Sequence, residues 1–380
     1  MMKKLFVILS AMMLAVVFAI PAGADVGDNA VDWNFYGSVR MQTFRVDQDK
    51  NTSATGYDDR DSRWELNPVS HIGAKVHSGN LGGCFEYGHV YDNEYEKGHG
   101  HDTSNVTLRK IYGTWDFGVG ELTVGKTYTP IHFVTNQVYD NDYGLRGFGA
   151  FYVYNPMIQV EIDGFKLALV RPGIGNAEMP IFSDYDTTFP KVEASYTLAM
   201  DTFSIKAFGG WSAFEVVNDK DREYDVTCYL YGVAGVVNVG PVTLKAMIWE
   251  GQNVNLYGLS YTQEVDFEPH YNSTDDDIRD TNGYGGLVSV GIKFNDVIGL
   301  EAGVGLVSSG KDFIDNIKDG QIIFENDNDD AVAAYLQAPI TLAKGVTVVP
   351  EIGHYDYVDD AEGNDEGKEL YFGAKWQINF

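Results

Sequence analysis

Apolar and polar positions alternate with a period of two along much of the chain. In the last eleven residues, Leu370, Phe372, Ala374, Trp376, Ile378 and Phe380 fall on one face of an extended strand, and Tyr371, Gly373, Lys375, Gln377 and Asn379 on the other. Successive side chains of a strand point to opposite sides, so this period predicts a strand with one apolar face. The pattern recurs near the start, where Phe35, Gly37, Val39 and Met41 alternate with Ser38, Arg40 and Gln42. It recurs again where Val288, Val290, Ile292 and Phe294 oppose Ser289, Gly291 and Lys293, and where Val332, Ala334, Leu336, Ala338, Ile340 and Leu342 oppose Tyr335, Gln337 and Thr341. Taken alone, such a strand fits a soluble sandwich as well as a bilayer, whose core about ten tilted residues cross.

The order of the connections separates these readings. The pattern predicts strands over residues 32–46, 64–77, 84–90, 105–116, 122–127, 157–162, 165–170, 190–200, 203–217, 225–239, 242–252, 284–294, 299–308, 331–342, 346–357 and 370–380, sixteen in all. Tight turns such as Ser78-Gly79-Asn80, Phe117 to Gly120, Asp163-Gly164, Gly240-Pro241 and Lys344-Gly345 alternate with long polar stretches such as 47–62, 92–104, 128–154, 172–187, 253–283 and 309–329. Short turns at one end and long loops at the other are expected of a membrane β-barrel. Unpaired backbone groups in hydrocarbon cost several kcal/mol each, so such a sheet must close, the last strand pairing with the first. The expected fold is therefore all-β, a transmembrane antiparallel β-barrel of sixteen strands with a polar lumen and an apolar outer face. The even count puts both termini on one side, the periplasm, with the long loops facing outward.

Composition sharpens the picture at four points. Lys3 and Lys4, the apolar run Leu5 to Ile20, and Ala22-Gly23-Ala24 before Asp25 read as a secretory signal over residues 1–24. The alternative, a membrane anchor, lacks a basic stop-transfer cluster. Residues 25–380 then form one barrel domain, with no linker or shift in composition. The 42 Gly, 24 Tyr and 21 Phe suit a barrel with aromatic girdles. The net charge of −28, which becomes −30 without Lys3 and Lys4, argues against nucleic acid as a partner. The acid is concentrated in blocks, including Asp275 to Asp277, Asp327 to Asp330 and Asp359 to Glu366, which read as solvated loops. Two cysteines, Cys84 and Cys228, are too few for a disulfide framework and are expected to be unpaired.

Three stretches resemble the sixteen-stranded general porins of bacterial outer membranes. Phe35-Tyr36-Gly37-Ser38-Val39-Arg40 is similar to that family's opening strand. Leu108 to Trp115, with Phe117-Gly118 and Leu122 to Lys126, is similar to its paired strands before the third loop. Trp376 to Phe380 is similar to its closing strand. The resemblance implies a homotrimer in the outer membrane of a Gram-negative cell, among lipid and lipopolysaccharide, inserted by the barrel assembly machinery with Phe380 as its signal. It also implies that the third loop, residues 128–154, folds into the lumen. Acidic Asp140 and Asp142 on that loop would face basic Arg40, Arg109 and Lys126 on the wall, and Arg146 would either pin the loop or meet solute. Opposed charges at the narrowest point would orient small polar solutes. Plain alternation disagrees at two positions. It turns Lys126 outward with Leu122 and Val124, and Lys110 outward with Val106, Leu108 and Tyr112.

The implied function is passive diffusion of small hydrophilic solutes and ions. The alternative is a substrate-selective channel for small anions or sugars, the many tyrosines keeping sugars in play. Outer-membrane enzymes are also barrels, but no lipase or serine-hydrolase motif is present, and no enzyme activity is expected. An adhesion barrel with the outer loops as ligand surface is a further class. His89, His99 and His101 beside Asp92, Glu94 and Glu96 read as solvated loop residues rather than a zinc or nickel site. Ca²⁺ at the acidic outer loops is the one cofactor the composition raises, without a ligand spacing to support it. The overall charge leads to an expectation of mild cation preference, weakened by screening over about 8–10 Å.

Overall fold

The computed structural model describes residues 31–49, 59–90, 105–173, 182–187, 189–218, 222–259, 265–272, 276–311, 315–318, 321–324, 328–358 and 365–380. The expected leader, the histidines at 99 and 101 and much of the acidic loop sequence lie outside these residues.

Nineteen strand segments form one antiparallel sheet. Three crossings are each made of two segments in line, so sixteen strands close the barrel. In chain order they are β1 (Asp32–Gln48), β2 (Asp59–Leu66 and His71–Ser78), β3 (Leu81–Val90), β4 (Asn105–Asp116), β5 (Glu121–Tyr128), β6 (Tyr154–Ile162), β7 (Phe165–Val170) and β8 (Phe182–Asp186 and Lys191–Ala199). The second half comprises β9 (Phe203–Asn218), β10 (Glu223–Val239), β11 (Val242–Gln252), β12 (Thr281–Lys293), β13 (Gly299–Lys311), β14 (Asn328–Gln337 and Ile340–Ala343), β15 (Val346–Asp356) and β16 (Lys368–Asn379). Two short hairpins, His270–Asn272 with Asp277–Arg279 and Asp315–Lys318 with Gln321–Phe324, lie in segments that the sequence pattern assigns to loops.

The closure is as expected. β1 pairs with β16 from Ser38 opposite Asn379 to Gln48 opposite Glu369. Beyond that ladder, Phe380 exchanges backbone hydrogen bonds with Gly37 at 2.8 and 3.1 Å. The Phe380 ring lies against Gly37, where an added Cβ would come within 2.5 Å of it. On its other side β1 pairs with both segments of β2. The interruption falls at Asn67 to Ser70, where Pro68 has no N–H to give a ladder. The Asp163-Gly164 turn between β6 and β7 has positive φ at both residues (48° and 80°), as a two-residue hairpin with this sequence requires.

Alternation divides the wall as read from sequence. Leu370, Phe372, Trp376 and Ile378 are exposed on the outer face, whereas Tyr371 and Lys375 of the same strand are buried inside. Val288, Val290, Val332 and Leu336 are likewise exposed outside, and Tyr335 and Gln337 are buried. Cys84 and Cys228 are buried and unpaired.

The lumen departs from the expected polar interior. A large apolar cluster fills much of it, built from Phe44 and Val46 of β1, Trp249 of β11, Tyr355 of β15 and Tyr371 of β16. Two inward-folded segments complete the cluster. Residues 129–153 contribute Ile131, Val138, Tyr139, Leu145, Phe148 and Phe151, and residues 253–259 and 265–267 contribute Val254, Tyr257, Leu259, Val265 and Phe267. The stretch from Asn253, read from sequence as an outer acidic loop, thus begins as an apolar plug. Each such side chain, fully buried, stabilises its docking by about 1.5–3 kcal/mol.

Candidate functional site

The segment after β5 is shaped by its own sequence. Asp140, Asn141 and Asp142 take positive φ in succession (53°, 69° and 65°). Asp and Asn tolerate this left-handed region better than other side-chain-bearing residues, because their short polar groups bond locally. The result is a tight tip carrying polar side chains toward β1 and β16. Behind the tip, the Gly149 carbonyl accepts a hydrogen bond from Trp249 Nε1 at 3.0 Å. A Cβ on Gly149 would lie 2.5 Å from the Gly286 carbonyl oxygen of β12, so the chain here presses backbone to backbone on the wall.

Anchors run around β9 and β11–β16. Glu351 of β15 accepts the backbone N–H groups of Val138 and Tyr139, both at 2.9 Å. Tyr139 Oη donates to Glu369 at 2.6 Å. The Gln137 amide donates to Tyr355 and Tyr371 at 2.6 and 3.1 Å. Asn136 donates to Glu301 of β13 at 2.6 Å and accepts from Lys245 of β11 at 2.9 Å. Lys206 of β9 donates to the His132 carbonyl at 3.1 Å. This side of the lumen is therefore filled, and the open space lies along β1–β7.

Two cavities with shared walls lie in that space among the described residues. One, of about 500 Å³, opens toward the tight turns and is lined by Asp32, Lys75, His77, Glu121, Glu161 and Lys166, among others. The other, of about 470 Å³, reaches up to Asp142 and Tyr152 of the folded-in segment. Asn34, Lys75, Tyr112, Thr127 and Tyr128 line both. Arg40, Lys75, Arg109 and Lys110 bring four cations to the upper cavity, against the two carboxylates Glu86 and Asp142.

The residues singled out from sequence are distributed unevenly here. Arg40 and Asp142 meet directly, Nη1 to Oδ2 at 2.6 Å. Lys375, on the polar face of β16, reaches the same carboxylate at 2.8 and 3.0 Å. Asp142 therefore clasps the loop to the β1–β16 seam instead of facing a basic wall across open space. Arg109 is buried, donating to Glu86 at 2.8 Å and to the hydroxyl of Tyr152 at 3.4 Å. Asp140 lies away from the open strip, with Arg63 and Glu369 near it, and burial raises its carboxyl above the usual range. Arg146 Nε donates to the Gly258 carbonyl at 3.4 Å, and its guanidinium lies 5.2 Å from the Tyr143 ring. It joins the two inward segments to each other.

Two wall residues reverse one of their expected placements. Lys126 lies on the outer face with Val124, opposite Ile111 and beside Pro156, and donates to the Leu108 carbonyl at 2.9 Å. The motif that implied a lumen position is overruled by the strand's alternation. Lys110 lies inside, contrary to alternation, because β4 carries a bulge. Glu86 pairs with Lys110 and Tyr87 with Leu108, leaving Arg109 as the extra residue. The bulge turns Arg109, Lys110 and Tyr112 all toward the upper cavity. Lys110 thereby reaches Glu86 at 3.3 Å and the Tyr128 ring at 4.6 Å. Glu86, Lys75 and Lys375 carry no motif, and only their parity on strands hints at the lumen.

Among the described residues, no group of three His, Cys, Asp or Glu side chains is placed to hold a metal ion.

The chain matches no protein-family model and no curated protein sequence. It is similar in structure to the outer membrane channel DcaP of Acinetobacter baumannii, with a TM-score of 0.71 at 15% identity over 92% of this chain and 98% of that one. It is similar to the trimer form of OmpT, an outer membrane protein of Vibrio cholerae, with a TM-score of 0.60 at 15% identity over 93% and 100% of the two chains. It is also similar to an anion-selective porin from Comamonas acidovorans, with a TM-score of 0.55 at 10% identity over 92% and 100%. At these identities the likeness establishes the fold, a barrel of the outer-membrane porin type.

Proposed function

We propose that this protein is a passive diffusion channel for small hydrophilic solutes in a bacterial outer membrane, and that its narrow section favours anions. The observation that carries this reading is a closed barrel, apolar outside, whose lumen narrows to a strip with four cations against two carboxylates. A continuous apolar outer face suits lipid, and a closed sheet leaves no backbone group unpaired in it. The net charge of −28 argued for cations. Much of that charge belongs to loop sequence, and salt screens it within about 8–10 Å, whereas the cations of the strip are adjacent to the passing ion.

The remaining parts of the reading are a leader over residues 1–24, a homotrimer among lipid and lipopolysaccharide, periplasmic termini, and delivery by the barrel assembly machinery through Phe380. Support for the last is the exposed Phe380 ring at the end of the closing strand. Deleting Phe380 is expected to lower membrane levels several-fold without altering single-channel conductance, as read by quantitative blotting; unchanged levels would count against it.

The test of the main reading is reconstitution of the mature protein in a planar bilayer with a salt gradient. Conductance steps in groups of three and a reversal potential of anion-selective sign are expected. A protein that makes no pores ends the channel reading, and a cation-selective sign ends the anion preference alone.

A further inference from the structure

We propose that residues 253–259 are a movable gate, and that lifting them opens a second passage along the inner face of β8. This rests on the diffusion-channel reading and adds a second conducting state to it.

The segment is built to swing about one end. Val254–Tyr257 form a single 3₁₀ turn between Asn253 and Gly258, both in the left-handed region with φ of 50° and 85°. Asn253 is buried and firmly held. Its side-chain amide donates to the Thr227 carbonyl at 3.0 Å and to Asp280 at 2.7 Å, and its side-chain oxygen accepts the Thr281 N–H at 2.9 Å. The rest of the segment is tied less closely. Lys191 Nζ donates to the Leu256 carbonyl at 3.2 Å, Tyr257 Oη to the Cys228 carbonyl at 3.4 Å and Arg146 Nε to the Gly258 carbonyl at 3.4 Å. These lengths lie at or beyond the long end of the usual range. Apolar contact does more to keep the turn down, since Val254, Tyr257 and Leu259 are buried completely.

A polar wall lies beneath the turn. Lys191, Glu193 and Ser195 point inward from β8 and are buried, and the first two pair at 2.9 Å. Glu193 Oε2, Ser195 Oγ and both ends of the Asn255 amide have no hydrogen-bond partner among the described residues. Polar groups buried in this way are costly, and lifting the turn lets water reach them. Apolar burial favours the closed state and unmet hydrogen bonds oppose it, which narrows the free-energy gap between closed and open.

The polar wall also leads somewhere. Ser195 stands opposite Lys166 of β7, which lines the lower cavity. From there the stripe climbs β8 through Glu193 to Lys191, whose ammonium lies 4.7 Å from the Tyr257 ring. It therefore joins the lower cavity to the underside of the turn. Gly210 of β9 makes room for the gate. The three nearest neighbours of a Cβ there would all be Tyr257 atoms, the first at 2.5 Å.

The experiment records single channels of the full mature protein in planar bilayers in potassium chloride. Two conductance levels are expected within each unitary step, the lower one occupied most of the time. Gly210→Ala, whose methyl group collides with the docked Tyr257 ring, is expected to raise occupancy of the upper level at least fivefold. Asn255→Leu, which removes an unmet amide from the docked face, is expected to lower it at least fivefold. Cys228 gives a readout independent of current, because it is completely buried with the turn in place. In a Cys84→Ser background, its modification by a charged methanethiosulfonate reagent is expected to be faster with Gly210→Ala and slower with Asn255→Leu. A single conductance level in both the wild type and Gly210→Ala overturns the gate while the channel reading stands. So do two levels that the substitutions fail to move in opposite directions, or thiol modification that ignores both substitutions. The absence of any pore overturns both.

Discussion

Asp142 balances two cations at once, and this makes it the most consequential single side chain of the loop. Asp142→Asn would leave Arg40 and Lys375, now paired at 2.6 and 2.8 Å, without their counter-charge. Loss of one partner from a desolvated pair costs about 3 kcal/mol. The expected outcome is a lower unfolding temperature together with a reversal potential shifted further toward anions; a shift toward cations would contradict the role given to Arg40. His132 supplies a pH dependence. It stacks on Tyr128 at 4.1 Å, and burial, with Lys206 and Lys110 nearby, depresses its pKa to about 3. The unfolded chain, with an ordinary pKa near 6.5, binds the proton first. Stability from the neutral ring is therefore complete above about pH 6.5 and is lost as pH falls from there toward 3. His132→Phe is expected to flatten the fall in melting temperature between pH 6.5 and 4, measured by circular dichroism. At this scale the sequence named Arg40, Arg109 and Asp142 but missed Lys375 and Glu86. Their lumen positions follow from strand parity, whereas their meeting depends on how far a loop reaches.

Among elements, the folded-in segment is held more by the wall than by its own contacts. Glu351 accepts two of its backbone N–H groups from β15, each at 2.9 Å. Glu351→Gln can retain one acceptor, leaving the other N–H unsatisfied at about 1–3 kcal/mol. Expected is an open-channel current with added noise and faster proteolysis within residues 129–153; a quiet, protease-resistant channel would show that the apolar anchors suffice. β4 shows where reading from alternation stops. The period-two pattern through Val106, Leu108, Lys110 and Tyr112 is regular in sequence, yet the extra residue at Arg109 reverses it halfway. A bulge is fixed by pairing with the neighbouring strand, and no local signal at Leu108-Arg109-Lys110 announces it. Lys126 is the converse case: unbroken parity opposite Ile111 predicted its outward position correctly.

At the scale of the whole molecule, the barrel is asymmetric inside. The two inward segments pack against β9–β16 and against Phe44 and Val46 of β1, and the open strip lies along β1–β7. Phe267 is a buried member of that packing, next to Trp249 at a ring separation of 6.1 Å. Phe267→Ala is expected to cost about 3–5 kcal/mol locally. If the plug restricts the lumen, single-channel conductance should rise and larger neutral polymers should enter; unchanged conductance and cut-off would show that the packing around Phe267 does not limit passage. The strand count, the closure of β16 on β1, the turn and loop ends and the outward apolar face followed from sequence alone, since each depends on a local period or on the rule that no backbone group goes unpaired. What fills the lumen, which charges are spent on anchoring, and where the net positive strip lies were decided by the tertiary structure. These depend on contacts between residues up to more than two hundred positions apart, such as Asp142 with Lys375 and Tyr139 with Glu369. No local pattern of hydrophobic and polar positions encodes such pairings.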